Sequence, residues 1–278
     1  NILEHSDLRA MGHNTASSLH AVAEAMKLGF ADRSVALGDP DFVQVDVERL
    51  TSKAYAADRY SLANADHAGE YAPAEGIAAK EYPGNTSHFV VMDRFGNAFS
   101  QTQTVRDWFG CGIVVDGLGF VLNNAMSDFS AKPGALTSQG LTYGDANSIQ
   151  GGKTPLSSMA PSMVFKNGQP FLAIGAAGGP RIITGTVQGI VNAVDFGMLP
   201  EQLVRQPYVN CLTRAQGLEV EFGISEDTLR LLEEKGHNPI RIPVGEAMST
   251  MLNSVMYVDG EYYAAGTQRV DGCGGALL

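Results

Sequence analysis

The segment 84–105 constrains the fold most, because it has the pattern of a tight antiparallel hairpin. An apolar stretch, His88–Met92, is followed by the turn residues Asp93–Asn97. The next residues alternate, with Ala98, Ser100, Thr102 and Thr104 on one face and Phe99, Gln101, Gln103 and Val105 on the other. Alternation with a period of two is typical of a strand whose two faces meet different surroundings. The sequence therefore predicts a β-hairpin here.

A small polar dipeptide, Asn85-Thr86, stands directly before this hairpin. If the chain were cut between the two residues, Thr86 would carry both a free amine and a hydroxyl. A base would then lie next to a nucleophile on a single residue. Threonine also favours strands, so Thr86 taken alone can equally be read as the residue that opens a strand.

Helices are predicted over 14–37, 50–64 and 182–196, and a further helix is capped by Ser225. In the first helix, apolar residues recur at helical spacing, and Glu24 and Lys27 fall outside that stripe. Residues 65–85 are polar and rich in glycine and proline, which is typical of a connector.

Further strands are predicted over 119–123, 162–165, 171–174, 218–222, 254–258 and 261–265. The last two flank Asp259-Gly260, a dipeptide typical of a type I′ turn. Strands followed by helices and then by strands favour a layered sandwich of sheets and helices over a Rossmann domain.

Composition excludes several classes of partner. The net charge of −11 argues against nucleic acid or an anionic membrane as the main partner. No apolar run approaches the ~20 residues of a membrane span. Cys111, Cys211 and Cys273 form neither a CxxC motif nor a metal-ligand pair. We expect Asn1 to be a mid-domain start, so the lack of a signal peptide says nothing about export.

Several motifs occur in an order that resembles the γ-glutamyltransferase (γ-glutamyltranspeptidase) family of N-terminal nucleophile hydrolases. They are Ala31-Asp32-Arg33, Leu37–Val43, Thr86–Phe89, Asn123–Phe129, Ala131–Gly134, Pro155–Met159 and Gly178–Arg181. The resemblance covers nearly the whole chain. It implies an α+β fold, a four-layer αββα sandwich with a helical N-terminal segment. Residues 1–85 would be the end of a large subunit, mostly helical plus the connector, and residues 86–278 the small-subunit catalytic portion. The implied partners are a small-molecule amide substrate and the rest of the large subunit, encoded upstream. No cofactor and no metal are implied.

The resemblance also implies roles for individual residues. Thr86 would attack the carbonyl of Asn85, release its own amine, and then attack a substrate amide to give an acyl-enzyme. The other implied roles are a hydrogen bond to the nucleophile from Thr104, an oxyanion hole at Gly178 and Gly179, carboxylate binding by Ser157 and Ser158, and ammonium binding by Asp128. Without the resemblance, each of these residues has an ordinary reading as part of a strand, turn or loop. We read His88 as structural.

Three positions depart from the family pattern: Arg106 replaces an asparagine, Ala125 a carboxamide or carboxylate side chain, and Ser127 an aspartate. A guanidinium repels an ammonium and attracts a carboxylate. The pocket is therefore expected to prefer an acyl group that has a carboxylate but no amine, of the glutaryl or oxamate type. Two alternatives stay open for Arg106, namely a solvent-facing side chain and a neutralising pair with Asp128.

The functional prediction is an enzyme that cleaves a γ-glutamyl-type amide through an acyl-threonine, with hydrolysis or transfer to an amine. The alternative is an amidohydrolase of the same family for another small carboxylate-bearing amide. A third possibility, an unprocessed and non-catalytic homologue, is disfavoured because the implied catalytic set is intact.

Overall fold

The protein is described here from a computed structural model that covers residues 1–71, 84–135, 144–242 and 250–269. Its helices are α1 (Leu8–Met11), α2 (Ala16–Ala36), α3 (Val47–Leu50), α4 (Lys53–Tyr60), α5 (Arg181–Val194), α6 (Pro200–Arg205) and α7 (Glu226–Glu234). Its strands are β1 (Gly84–Met92), β2 (Ala98–Asp107), β3 (Ser162–Lys166), β4 (Gln169–Ala177), β5 (Val209–Asn210), β6 (Leu218–Glu221), β7 (Pro239–Ile242), β8 (Met251–Val258) and β9 (Glu261–Gly266).

The strands form three sheets. The predicted hairpin is confirmed as β1 and β2, an antiparallel pair. A four-stranded antiparallel sheet has the order β3-β4-β8-β9. A smaller sheet has the order β5-β6-β7, in which β6 and β7 are parallel.

The hairpin stacks on one face of the four-stranded sheet. The ring of His88 lies against Gly175, where an added Cβ would come within 2.3 Å of the imidazole. Ser100, which is paired with Val90, donates a hydrogen bond to the carbonyl oxygen of Ile174 at 3.3 Å. Val90 therefore lies near Ile174, and His88 lies near Gly175, the next residue of β4. The N-terminal end of β1 thus points towards the C-terminal end of β4.

Helices α5 and α6 cover the opposite face of this sheet. Alternate residues of β4, Leu172, Ile174 and Ala176, pack with residues of α5, α6 and β8 in one buried cluster. Gly189 brings α5 close, since an added Cβ there would lie 2.7 Å from Ile174. A helix layer, a sheet and a second sheet thus follow one another, as expected for an αββα sandwich. The fold is α+β.

A second buried cluster joins the N-terminal segment to the rest of the chain. Its residues come from α2 and from the region of β5, β6 and α7: Ala16, Leu19, Val22, Ala23, Met26, Val209, Cys211, Leu218, Val220, Ile224, Leu229 and Leu232. A smaller cluster contains Phe30 and Leu212, with Leu156 and Ile183 packed against it. Helix α2 is therefore held against elements that follow the hairpin in sequence.

Several predicted boundaries change. The helix expected over 50–64 is only Lys53–Tyr60. The strand expected over 119–123 is absent, since this segment makes one isolated bridge, Val114 to Val121. Glu24 and Lys27 are buried as an ion pair 2.7 Å apart. Helix α2 buries 14 of its 21 residues, so it has more than one covered face. Of the predicted connector 65–85, residues 72–83 lie outside the described part.

The expected type I′ turn is confirmed, because Asp259 and Gly260 both have positive φ, 52° and 90°. The outer face of the hairpin remains exposed at Phe89, Val91 and Phe99. In the part of the chain that is described, no helix has the length and apolar character needed to cross a bilayer.

Candidate active site

Thr86 lies at an irregularity of the hairpin. It is paired with Thr104, whereas Asn85 is paired with Arg106, so the register shifts between Asn85 and Thr86. Such a bulge re-aims a side chain and often occurs beside an active site. The Thr86 hydroxyl donates to Oγ1 of Thr104 at 3.1 Å. The structure thus brings the expected nucleophile and its expected partner into contact.

The backbone of Arg106 holds Thr104 in place. Arg106 has φ 75°, in the left-handed region that residues other than glycine and asparagine rarely adopt. In this conformation its N–H donates to Oγ1 of Thr104 at 2.8 Å. Oγ1 of Thr104 therefore accepts one hydrogen bond from the nucleophile and one from the backbone.

The side chain of Arg106 turns inward and is only 5% exposed, which excludes the solvent-facing alternative. Its Nε donates to Oδ1 of Asp128 at 2.9 Å, and its Nη1 donates to both carboxylate oxygens of Asp107 at 2.7 Å. Burial disfavours the charged guanidinium, but Asp128 and Asp107 outweigh that effect and raise the pKa of Arg106. Of the two alternatives for Arg106, the structure therefore shows the pair with Asp128.

Asp128 sits at the end of a 3₁₀ turn, Ala125–Asp128. Burial raises the pKa of its carboxyl group, and the hydrogen bond from Arg106 opposes that rise. Ala125 is half-buried and offers no polar side-chain group here. Ser127 is exposed and its hydroxyl donates to the carbonyl of Asn124 at 2.8 Å.

Asn147 connects Asp128 to the serine pair. It is fully buried, and its Nδ2 donates to the carbonyl oxygen of Asp128 at 2.7 Å. Its Oδ1 accepts from the N–H of Leu156 at 2.9 Å. Ser157 and Ser158 follow directly, so the segment that carries them is tied to the segment that carries Asp128.

Arg33 reaches the same serines from α2. Its Nη2 donates to Oγ of Ser158 at 3.2 Å and to the carbonyl oxygen of Ser157 at 3.3 Å. The positive charge of Arg33 also acts on Asp128, where it favours the ionised carboxylate. The set therefore contains two guanidinium groups and two carboxylates, those of Arg33, Arg106, Asp107 and Asp128.

Gly178 and Gly179 join the end of β4 to the start of α5. Both have positive φ, 129° and 59°, which suits glycine. Their carbonyl oxygens accept the first hydrogen bonds of α5, from the N–H groups of Arg181 and Ile182. His88, two residues after Thr86 in β1, packs against Gly175, which precedes these glycines in the chain.

His88 packs between the two sheets. It is 6% exposed, and its Nδ1 lies 2.8 Å from Oγ1 of Thr102. Burial lowers its pKa to about 4. His88 is therefore a neutral ring packed against Gly175, which agrees with a structural role for this residue.

One buried group has the composition of a metal site. Ligand atoms of His20, Glu24 and His237 lie within 4.8 Å of one another. However, Nζ of Lys27 lies 2.7 Å from Oε1 of Glu24 and donates to the carbonyl of Gly69 at 2.6 Å. The ammonium already supplies the positive charge that a metal would bring, so we assign this cluster to the folding of α2.

Sequence reasoning assigned no role to four residues that connect the site: Arg33, Asp107, Asn147 and Asn124, whose Nδ2 donates to Oδ2 of Asp107 at 2.6 Å. Arg33 could have been found, because it follows Phe30 by three positions and Met26 by seven. It therefore lies on the buried face of α2. A charge on such a face signals a buried partner. Asn147 carries no comparable signal, since asparagine is common in turns.

Comparison with known proteins identifies the family of the chain. A sequence model of the gamma-glutamyltranspeptidase family matches residues 1–276. The chain is 42% identical over 272 residues to the glutathione hydrolase proenzyme of Escherichia coli (strain K12), covering 97% of this chain and 46% of that protein. It is 36% identical over 273 residues to the acylase ACY 1 proenzyme of Pseudomonas sp. (strain SE83), covering 98% and 46%. The chain thus spans about half the length of these relatives.

Solved structures give the same result. The T380A mutant of Helicobacter pylori gamma-glutamyltranspeptidase has a TM-score of 0.61 and 37% identity, over 66% of this chain and 99% of that chain. The cephalosporin acylase of Bacillus halodurans has a TM-score of 0.77 and 26% identity, over 100% of this chain and 49% of that chain. The sequence match covers nearly the whole chain, and the fold is shared with these structures. This chain belongs to the gamma-glutamyltranspeptidase family, whose members are N-terminal nucleophile enzymes.

Proposed function

We propose that the chain is the nucleophile-bearing part of a self-cleaving enzyme that breaks a γ-glutamyl-type amide through an acyl-threonine. The observation that carries this proposal is the hydrogen bond of 3.1 Å between the hydroxyls of Thr86 and Thr104, at the bulge that follows Asn85. A threonine that only opened a strand would need neither the bulge nor the paired hydroxyl.

Self-cleavage would begin when the Thr86 hydroxyl oxygen attacks the carbonyl carbon of Asn85. The Asn85–Thr86 amide bond then breaks and leaves an ester on the Thr86 side chain. Water hydrolyses this ester, which yields a carboxylate on Asn85 and a free amine on Thr86. The residues before the cut and those from 86 onward would correspond to the two subunits of the resemblance.

In turnover, the new amine of Thr86 would accept the proton of its own hydroxyl as the oxygen attacks the substrate amide. The amine part of the substrate leaves with a proton, and the acyl group stays on Thr86. Water releases it as an acid, or an amine accepts it as a new amide. We assign stabilisation of the oxyanion to the N–H groups of Gly178 and Gly179.

We assign binding of the substrate's carboxylate to Ser157 and Ser158. The remainder of the large subunit would be encoded upstream of this chain. Support for an upstream partner comes from the relatives, of which this chain covers 46%. The exposed outer face of the hairpin, with Phe89, Val91 and Phe99, is where the fourth layer of the sandwich would lie.

The test is the mass of the purified product. The protein with intact Thr86, made with its upstream part, is expected to give two pieces, the smaller beginning at Thr86. Thr86→Ala should remain a single chain, because the attacking oxygen is gone.

Ser87→Ala is the matched control, since Ser87 carries the adjacent hydroxyl and is exposed. It should still be cut. If Thr86→Ala is cut at the same bond while Ser87→Ala is not, Thr86 is the wrong nucleophile.

A second candidate function, an amidohydrolase for an acyl group without an α-amine, is favoured by the pair of Arg106 with Asp128. In the resemblance Asp128 takes the substrate's ammonium, but here Oδ1 of Asp128 already accepts from Nε of Arg106 at 2.9 Å. A substrate ammonium would have to share this carboxylate with a buried guanidinium, which repels it. Three similar proteins are named acylases.

Anilides of γ-glutamate and glutarate differ only in the amine and therefore test this candidate. The unmodified enzyme should cleave the glutaryl anilide with the higher kcat/KM. The double change Arg106→Asn, Ala125→Gln should reverse the order, by about tenfold or more if the buried charge pair sets the preference. An unmodified enzyme that prefers the glutamyl anilide would leave ordinary γ-glutamyl transfer as the function.

A further inference from the structure

The buried guanidinium of Arg33 contacts the serine pair, Ser157 and Ser158. Arg33 is 7% exposed, and its Nη2 donates to Oγ of Ser158 at 3.2 Å and to the carbonyl of Ser157 at 3.3 Å. Burying a charge is costly unless hydrogen bonds or an opposite charge compensate for it. An arginine retained at such a position therefore has a defined set of partners, and the serine segment supplies two of them.

The packing around Arg33 fixes this arrangement. Phe30, one helical turn earlier, packs with Leu156 and Ile183. Leu156 directly precedes the serine pair and Ile183 lies in the first turn of α5. The guanidinium carbon of Arg33 is also 6.0 Å from the ring centroid of Phe30. Helix α2 thus holds Arg33 against the serines as one packed unit.

The directions of the hydrogen bonds set what the serine hydroxyls can bind. A hydroxyl has one proton to donate and two lone pairs, whereas a guanidinium can only donate. Oγ of Ser158 uses a lone pair for Arg33. Oγ of Ser157 uses a lone pair for the N–H of Met159 at 3.1 Å. Both hydroxyls accept from the protein, so both keep a proton to donate, which suits an acceptor such as a carboxylate.

We infer that Arg33 is a positioning residue that polarises Ser158, and with it the serine pair, to bind the carboxylate of the acyl donor. This inference rests on the proposed function for the identity of the site. Arg33 precedes Thr86 in sequence and Ser158 follows it. After the cut, the upstream piece would therefore contribute to substrate binding as well as to folding.

The experiment uses the complete processed enzyme and two anilides that differ in one group, glutaryl anilide and its analogue with a primary carboxamide in place of the carboxylate. Arg33→Met keeps the aliphatic length and removes the donors. It should raise KM for the glutaryl anilide about tenfold or more with little change in kcat, because hydrogen bonds to charged groups are the stronger ones. KM for the carboxamide analogue should change less than about twofold. Arg33→Lys keeps the charge and should lie between.

Ser158→Ala tests whether Arg33 acts through Ser158, since Arg33→Met should then add little to KM in that background. Arg205→Met is the matched control, because Arg205 pairs with Glu201 on the exposed side of α6. It should leave both KM values unchanged. An equal rise of KM for both anilides in Arg33→Met would show a merely structural role and overturn the inference. So would a glutaryl KM for Arg33→Lys equal to that of the unmodified enzyme.

Calorimetric binding of free glutarate requires no acyl transfer and separates this inference from the proposed function. Weaker glutarate binding by Arg33→Met and Arg33→Lys supports the role of Arg33 even if neither anilide is cleaved. Unchanged binding by both variants contradicts it. An enzyme that binds glutarate through Arg33 but never forms an acyl-threonine would refute only the proposed function.

Discussion

At the scale of single residues, Arg106 acts through both its backbone and its side chain. Its N–H, with φ at 75°, donates to Oγ1 of Thr104, and its guanidinium donates to Asp128. The asparagine usual at this position in the resemblance tolerates positive φ as well. Either residue can adopt the backbone conformation seen here. What arginine adds in place of asparagine is a positive charge at the site.

Glycine and alanine at position 106 separate the two roles. Both Arg106→Gly and Arg106→Ala lose the guanidinium, but only alanine strains the left-handed backbone, by about 1–2 kcal/mol. We expect Arg106→Gly to be cut at Asn85–Thr86 faster than Arg106→Ala and to unfold at higher urea concentration. The rate comes from the appearance of the two pieces on a gel. Equal rates and equal stabilities would show that the backbone of residue 106 does not position Thr104.

At the scale of elements, the contact between the hairpin and the four-stranded sheet sets where Thr86 lies. Gly175 permits this contact, because its missing Cβ leaves room for the ring of His88. Asn253 adds a hydrogen bond from its Nδ2 to the carbonyl of His88 at 2.6 Å. The distance between the two sheets therefore depends on one glycine in β4, three strands after β1 in the chain.

Gly175→Ala should push β1 away from β4, lower the melting temperature and slow the cut at Thr86, since overpacking commonly costs 1–3 kcal/mol. Adding His88→Ala should restore part of the loss by clearing the space. Gly29→Ala in α2 is the control, because its added methyl meets nothing within 4 Å. That change should be neutral or stabilising, as alanine is the better helix former. A Gly175→Ala protein with unchanged stability and cutting rate would show that the contact is not tight.

At the scale of the whole molecule, polar groups buried between layers make stability depend on pH. Burial lowers the pKa of His88 and of His237 to about 4 each. Lys27 contributes to the shift at His237. The ordinary pKa of histidine is about 6.5, so below that pH the unfolded chain binds more protons than the folded one. Stability is then lost as the pH falls.

The contribution of these two histidines to the free energy of unfolding should be constant above pH 6.5 and should decrease between pH 6.5 and 4. The decrease is about 3 kcal/mol for each of the two histidines. Urea unfolding at pH 7 and at pH 4.5 measures it. His88→Gln should reduce the difference between the two pH values, because glutamine does not titrate. A difference that is the same with and without His88 would mean that other groups, His237 or the carboxyl groups, cause the acid sensitivity.

Local pattern alone predicted much of the fold. The strict alternation of residues 98–105 predicted β2, helical spacing predicted α2 and α5, and Asp259-Gly260 predicted the last turn. Segments with weak or mixed patterns were predicted less well. The stretch 119–123 is apolar enough for a strand but remains exposed at Phe120 and Leu122, with only one bridge near it.

By itself the sequence determined the elements with strong periodicity, because these depend on residues close together in the chain. Its motifs also showed the resemblance to the family, and that resemblance implied Thr86 and Thr104 as the candidate pair. Only the tertiary structure decided that Arg106 is paired with Asp128 and Asp107. It also decided that Asn147 joins Asp128 to the serine segment and that Arg33 reaches Ser158 across 125 residues of sequence. Side chains so far apart in the chain meet only after the layers pack, and a charge takes the partner that packing leaves within hydrogen-bonding distance.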